Sequence, residues 1–261
     1  MSRFFSFCLI LILSGNLSAQ MQTLNSHVIL NYNLRDSARV NYSFDKKTHS
    51  LLKSAILPAS LMLAGIIVET LPSNTVFSKD RIQMHILDKM NGFTTTADNY
   101  LQFVPMAALF SFKLAGMKSR NDLMNQAILT AKSELLMLTI VNSMKYFIHD
   151  MRPDGSSDNS MPSGHTAQAF VSATLLDMEY RETSPWISVG GYLCATATGF
   201  FRVANNRHWA SDVLIGAGIG IASVKLVYLT HQYRWGKKPS SAALVPMLYQ
   251  NGGGVAFAMK F

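Results

Sequence analysis

From residue 53 to about residue 236 the chain alternates long apolar runs with short polar connections. The runs cover residues 55–71, 100–117, 123–148, 167–180, 186–201 and 209–230. None shows the strict alternation of a half-buried strand, and most are 14 to 22 residues long, so the pattern predicts six helices. Several carry a charge inside them, such as Lys113, Lys132 and Glu134. That fits short or buried helices almost as well as membrane spans. Gly190, Gly191 and Gly199 in the fifth run allow helices to approach closely, as do Gly216, Gly218 and Gly220 in the sixth. Gly216 and Gly220 form a small-xxx-small pair of the kind membrane bundles use. Between the first two runs, Lys79, Arg81 and Lys89 read as a polar loop, and Asp98 reads as a loop residue.

The pattern changes at both ends. Residues 243–249 and 255–261 flank Asn251 and three glycines, and the second segment places Val255, Phe257, Met259 and Phe261 on one face. This predicts a β-hairpin in a tail spanning residues 237–261. Residues 1–19 hold Arg3, a short apolar core and small residues before Gln20, which reads as a secretory signal cleaved after Ala19. Residues 20–52 are polar and mixed in charge and read as an exported segment. Fold class is therefore all-α, a six-helix membrane-associated bundle over residues 53–236 with a short C-terminal β-hairpin. Cleavage would leave Cys194 as the sole cysteine, expected to be a small buried residue in a chain with no internal disulfide.

Composition sharpens this picture in two ways. Charged residues are only 15% of the chain, low for a soluble domain and consistent with membrane association. The formal charge of +8 suits an anionic partner, a phosphate or a lipid headgroup surface, although a positive-inside bias on membrane loops gives the same excess. No cysteine or histidine pair has zinc-site spacing, and glycines buried within a helical run, with no strand before them, do not make a nucleotide loop.

The candidate chemistry lies between Lys145 and Asp212. Lys145 and Arg152 are seven residues apart, so one helix ended by Pro153 would present both from one face near its C-terminus. Ser163-Gly164-His165 follows Pro162 and precedes an apolar run. It reads as a helix N-terminus with Ser163 at the cap and free N–H groups suited to an anion. His208 and Asp212, four apart on an expected helix, allow the carboxylate to hold one ring nitrogen and leave the other exposed as a nucleophile.

These three blocks, Lys145 through Arg152-Pro153, Pro162-Ser163-Gly164-His165, and Arg202 through His208 to Asp212, resemble the signature of the type 2 phosphatidic acid phosphatase (PAP2) superfamily. They span about a quarter of the chain. Two departures stand out: Phe201 occupies a position where that signature usually has serine, and the gap between the first two blocks is short.

The resemblance implies a helical, metal-independent phosphatase without cofactors, acting on a lipid phosphate or pyrophosphate of the cell envelope. His208 would be the nucleophile, Asp212 its orienting carboxylate and His165 the acid and base. Lys145, Arg152, Arg202 and the N–H groups around Ser163 and Gly164 would hold the phosphoryl oxygens. Arg207 reads as a solvated loop residue, and His149 and Asp150 carry no assigned role. A vanadium-dependent haloperoxidase and a non-catalytic phosphate-binding envelope protein are the alternatives. The partners implied are a phospholipid, isoprenoid or lipid A phosphate and a membrane, with no nucleic acid. Topology is contradictory. Six full spans after an exported N-terminus put the motif loops in the cytoplasm, whereas Lys118, Arg120, Arg234, Lys237 and Lys238 mark the opposite loops as cytoplasmic. The expectation is a first or second run that does not span, or a peripheral bundle, with the site on the periplasmic face.

Overall fold

The structure, a computed structural model, describes residues 54–231 and the backbone of residues 242–249 and 252–259. The expected signal peptide, the segment 20–52 and Arg234, Lys237 and Lys238 lie outside the described residues. The helices are α1 (Ser54–Thr70), α2 (Lys79–Lys89), α3 (Ala97–Leu101), α4 (Val104–Leu114), α5 (Leu123–Ile148), α6 (Gly164–Tyr180), α7 (Pro185–Ala204) and α8 (Ala210–Thr230). Two strands, β1 (Ala242–Tyr249) and β2 (Gly252–Met259), pair antiparallel with Tyr249 opposite Gly252.

The third to sixth apolar runs reappear as α5 to α8. The second does not survive whole: it breaks into α3 and α4, because Pro105 at the start of α4 cannot continue a preceding helix. The expected loop at Lys79–Lys89 is a helix instead. Ser78 accepts from the Arg81 N–H, and Asp80 sits in the first turn with Lys89 in the last, the charge order a helix dipole favours. An apolar-run criterion misses such a polar helix.

α6 is the central element, buried on nearly every side and packed against α4, α5, α7 and α8. Leu109, Met137, Val141, Val171, Leu175, Ile215 and Ile219 form the core around it. α8 reaches α6 through its glycines. A Cβ on Gly216 would lie 2.6 Å from the Ser163 carbonyl oxygen, and one on Gly220 would lie 2.5 Å from that of Ala167. Alanine at either place would force the two backbones apart, so the small-residue pair has a steric cause. Gly190, by contrast, faces open space, and Cys194 is only partly buried.

Among the described residues, α5 and α8 are long and apolar enough to cross a membrane. More than half of the apolar stretch of α8 lies inside the bundle, whereas α5 turns most of its stretch outward, including Leu135, Leu138 and Phe147.

Candidate active site

α5 ends sooner than Pro153 would require. Its C-cap is His149, in the left-handed region at φ 50°, so Arg152 lies in the following loop rather than on the helix with Lys145. The two cations still converge, because the loop of residues 149–162 folds back over the helix end. Lys145 Nζ donates to the carbonyl oxygens of Asn159 (2.5 Å) and Ser160 (3.3 Å), and lies within electrostatic reach of Arg152, Arg202 and Asp212. The loop is closed by Arg152 N–H to Ser157 O and Ser160 N–H to Asp150 O.

Ser163 caps α6 as expected. Its hydroxyl oxygen accepts from the Thr166 N–H and the Thr166 hydroxyl, and the residue is fully buried. The side chain is therefore spent on the cap, and what this turn offers an anion is the backbone at Gly164 and His165. A Cβ on Gly164 would meet only Val141, at 4.0 Å, so the glycine is not required for packing.

His208 is not on a helix. The N-cap of α8 is Trp209, and Asp212 is the third residue of that helix. The expected contact forms all the same: His208 Nδ1 lies 3.2 Å from Asp212 Oδ2, with His208 2% exposed. The same oxygen accepts from the Ser160 hydroxyl at 2.5 Å and from the Trp209 N–H at 3.0 Å, while Asp212 Oδ1 is buried without a partner. An Nδ1–H donated to Asp212 leaves Nε2 with its lone pair free. Burial pushes the imidazole below its ordinary range despite the pull of Asp212, and Arg202 and Lys145 add to the lowering. His208 is thus neutral at neutral pH and held in one orientation by Asp212.

Arg202 comes from the last turn of α7 and is buried. Its Nη1 donates to Asp98 Oδ2 at 2.8 Å, and its Nε is buried without a partner, as is that of Arg152. Two guanidinium N–H groups held out of water and unspent are a strong inducement to bind an anion. His165, at the start of α6, places Nε2 2.9 Å from Asn99 Oδ1. Burial lowers its pKa to about 4, and the positive charges of Arg202 and Arg152 act in the same direction while Asp98 opposes them.

A cavity of about 690 Å³ opens beside these groups, lined by Thr94, Asp98, Asn99, Arg152, Arg202 and Arg207 among others. Arg207 is an exposed loop residue, as expected, that pairs with Asp154 at 3.2 Å and also lines this cavity.

The residues that sequence reasoning missed are Asp98, Asn99, Asn205 and Ser160. Asp98 is buried, not in a loop, and anchors Arg202. Asn205 ties its Nδ2 to Thr95 O (2.8 Å) and its Oδ1 to the Thr95 N–H (2.9 Å), fastening the segment before α3 to the end of α7. A polar Asp-Asn pair at the head of an apolar run was the available signal for the first two. Ser160 had none, since serine in a loop is unremarked until Asp212 is seen beside it.

The family model described as PAP2 superfamily matches residues 126–236. Over 137 residues, 52% of this chain, the sequence is 47% identical to a Porphyromonas gingivalis protein described as lipid A 1-phosphatase. The chain spans about a third of that relative, 31% of its length. Aquifex aeolicus LpxE superposes with a TM-score of 0.40 at 24% identity, covering 56% of this chain and 83% of its own. A Bacillus subtilis transmembrane PAP2-type phosphatidylglycerolphosphate phosphatase superposes with a TM-score of 0.42 at 22% identity, covering 68% of this chain and 99% of its own.

Proposed function

We propose that this chain, whose residues 126–236 match the PAP2 superfamily model, is a lipid-phosphate phosphatase working through a phosphohistidine on His208. The observation that carries this reading is a buried, neutral histidine locked by Asp212 beside two guanidinium groups with unspent N–H donors. In the first step His208 Nε2 forms a bond to phosphorus while the bond to the leaving alkoxide breaks. Asp212 offsets the positive charge that develops on the ring. Arg152, Arg202, Lys145 and the amides of Gly164 and His165 hold the equatorial oxygens, where charge spreads in the transition state.

His165 protonates the leaving oxygen. With Asn99 Oδ1 accepting from its Nε2–H, Nδ1 is the nitrogen that exchanges the catalytic proton. A bound phosphate dianion offsets the surrounding cations and raises its pKa toward the working range. In the second step neutral His165 takes a proton from water, whose oxygen displaces His208 from phosphorus and releases inorganic phosphate.

The substrate class follows from the surroundings of the pocket. Tyr100 and Met151, next in sequence to the cavity-lining Asn99 and Arg152, are exposed, which supports a phosphate carried on an apolar body. The description of the Porphyromonas relative makes a lipid A 1-phosphate the first substrate to try, beside phosphatidate, phosphatidylglycerol phosphate and undecaprenyl pyrophosphate. We place the bundle at the membrane of the cell envelope with its site on the periplasmic face. Reporter fusions after Asp158 active only in the cytoplasm would overturn that placement.

The deciding experiment is phosphate release by the purified chain from that lipid panel, with vanadate or EDTA added. Vanadate, which mimics the pentacoordinate phosphorus, is expected to compete with substrate, and EDTA to leave the rate unchanged. Loss of activity in EDTA with recovery on adding zinc or magnesium would refute the metal-free pocket. Peroxide-driven halide oxidation by the vanadate-loaded protein would favour the haloperoxidase.

A further inference from the structure

Behind the His208–Asp212 pair lies a second charged cluster that the proposed chemistry does not use. Lys79 Nζ, from the first residue of α2, contacts Glu69 Oε1 at the end of α1 (2.5 Å) and Asp150 Oδ1 in the loop after α5 (3.3 Å). It also lies 5.0 Å from the centre of the Trp209 ring. Each partner leads back toward Asp212, either by hydrogen bonds or through its chain neighbour Ser211. Glu69 Oε2 accepts from the Ser211 hydroxyl, at 2.8 Å. Asp150 O accepts from the N–H of Ser160, whose hydroxyl donates to Asp212. The Trp209 indole donates to Met151 O at 2.8 Å while its backbone N–H donates to Asp212.

We infer that Lys79 is a positioning residue for the reaction: one ammonium, bridging Glu69 and Asp150 beneath Trp209, holds the loop of residues 149–162 and the start of α8 in the register that keeps Asp212 on His208. The inference rests on the assignment of His208 as the nucleophile.

The physical case is charge balance. Glu69, Asp150 and Asp212 crowd three carboxylates into one half-buried corner, and like charges there repel in a low dielectric. Lys79 is the cation bonded to two of them. Burial raises Asp150 to about pH 6 even so, with Glu69 and Asp212 adding to the rise and Lys79 opposing it. Its Oδ2 is buried without a partner. Asp150 therefore changes charge as pH falls through about 6. Below about pH 6 it becomes neutral and its ion pair with Lys79 is lost; the raised pKa means the buried loop accommodates the neutral acid, so what is lost on the acid side is the register set by the bridge and not the stability of the loop. Removing Lys79 would raise the Asp150 pKa further and move that acid limb to higher pH.

The test uses the full chain and p-nitrophenyl phosphate, with kcat, KM and the kcat–pH profile measured for each variant. Comparing variants on one substrate cancels the ionisation of the substrate itself. Lys79→Met is expected to lower kcat by about tenfold or more with KM within about twofold, and to shift the acid limb upward by about one pH unit. Lys79→Arg should restore most of the rate. Asp150→Asn should abolish the limb near pH 6, and Lys79→Met with Asp150→Asn should recover part of the kcat lost in Lys79→Met alone. A folded Lys79→Met protein with wild-type kcat and pH profile would overturn the inference. If Lys79→Met does not fold, an unchanged acid limb in Asp150→Asn overturns it instead. His208→Ala, assayed alongside, separates the two levels. Activity surviving there refutes the nucleophile assignment, whereas an inactive His208→Ala beside an unaffected Lys79→Met refutes only the role of Lys79.

Discussion

Two buried carboxylates, Asp212 and Glu179, stand at opposite ends of this bundle and are treated in opposite ways. Glu179, near the C-terminal end of α6, has both oxygens occupied. Oε1 accepts from Asn121 Nδ2 (2.6 Å) and the Tyr228 hydroxyl (2.5 Å), and Oε2 from the Asn121 N–H (2.9 Å) and Gln126 Nε2 (3.3 Å). All four donors are neutral. His165 stands fourteen residues earlier on the same helix, about 21 Å away at the helical rise. There Asp212 crowds three donors onto Oδ2, one of them a histidine, and leaves Oδ1 bare among cations. A carboxylate satisfied on all sides can only hold structure together. One loaded on a single oxygen, beside a histidine and unspent guanidinium groups, is arranged for charge that has yet to arrive.

The comparison is broken most directly at His208. His208→Ala is expected to cost at least about 10⁴-fold in kcat and to leave no acid-labile phosphate on the quenched enzyme. Labelled phosphate persisting on that variant would move the nucleophile elsewhere. Next in size, Asp212→Asn should lower kcat by about 10²–10⁴-fold, because the imidazolium loses its counter-charge and the tautomer is no longer enforced. Glu179→Gln is its control. It turns an acceptor toward Asn121 or Tyr228 into a donor, so about 1–3 kcal/mol of stability should be lost with kcat within about twofold. A Glu179→Gln protein of normal stability and crippled kcat would reverse the contrast between the two ends.

His165→Ala should lose about 10²–10⁴-fold on lipid alkyl phosphates and much less on p-nitrophenyl phosphate, whose leaving group departs without a proton. Equal losses on both would remove His165 as the acid. The smallest effect is in the pH profile. His165 must be protonated to act, and in the free site its pKa is about 4. Bound phosphate dianion raises it, so the basic limb of kcat on an alkyl phosphate should lie at higher pH than that of kcat/KM. Coincident limbs would show that the substrate does not retune this residue.

The sequence by itself determined the helical body and the motif resemblance from which the chemistry is proposed. The runs at 123–148, 167–180, 186–201 and 209–230 are long enough that burial leaves helix as their only economical backbone. Spacing likewise sufficed to pair His208 with Asp212, because a four-residue separation at a helix start keeps the two in contact wherever the N-cap falls. Gly216 and Gly220 announced the α6–α8 approach because a missing Cβ is visible in a sequence.

Only the tertiary structure decided what depends on chain segments far apart in number. It put Arg152 in a folded-back loop, turned Asp98 inward onto Arg202 and brought Ser160 to Asp212. The last two contacts join residues 104 and 52 positions apart. Local propensity has no bearing on them, since each is set by burial that leaves a polar group needing a partner and by which partner the packing brings near.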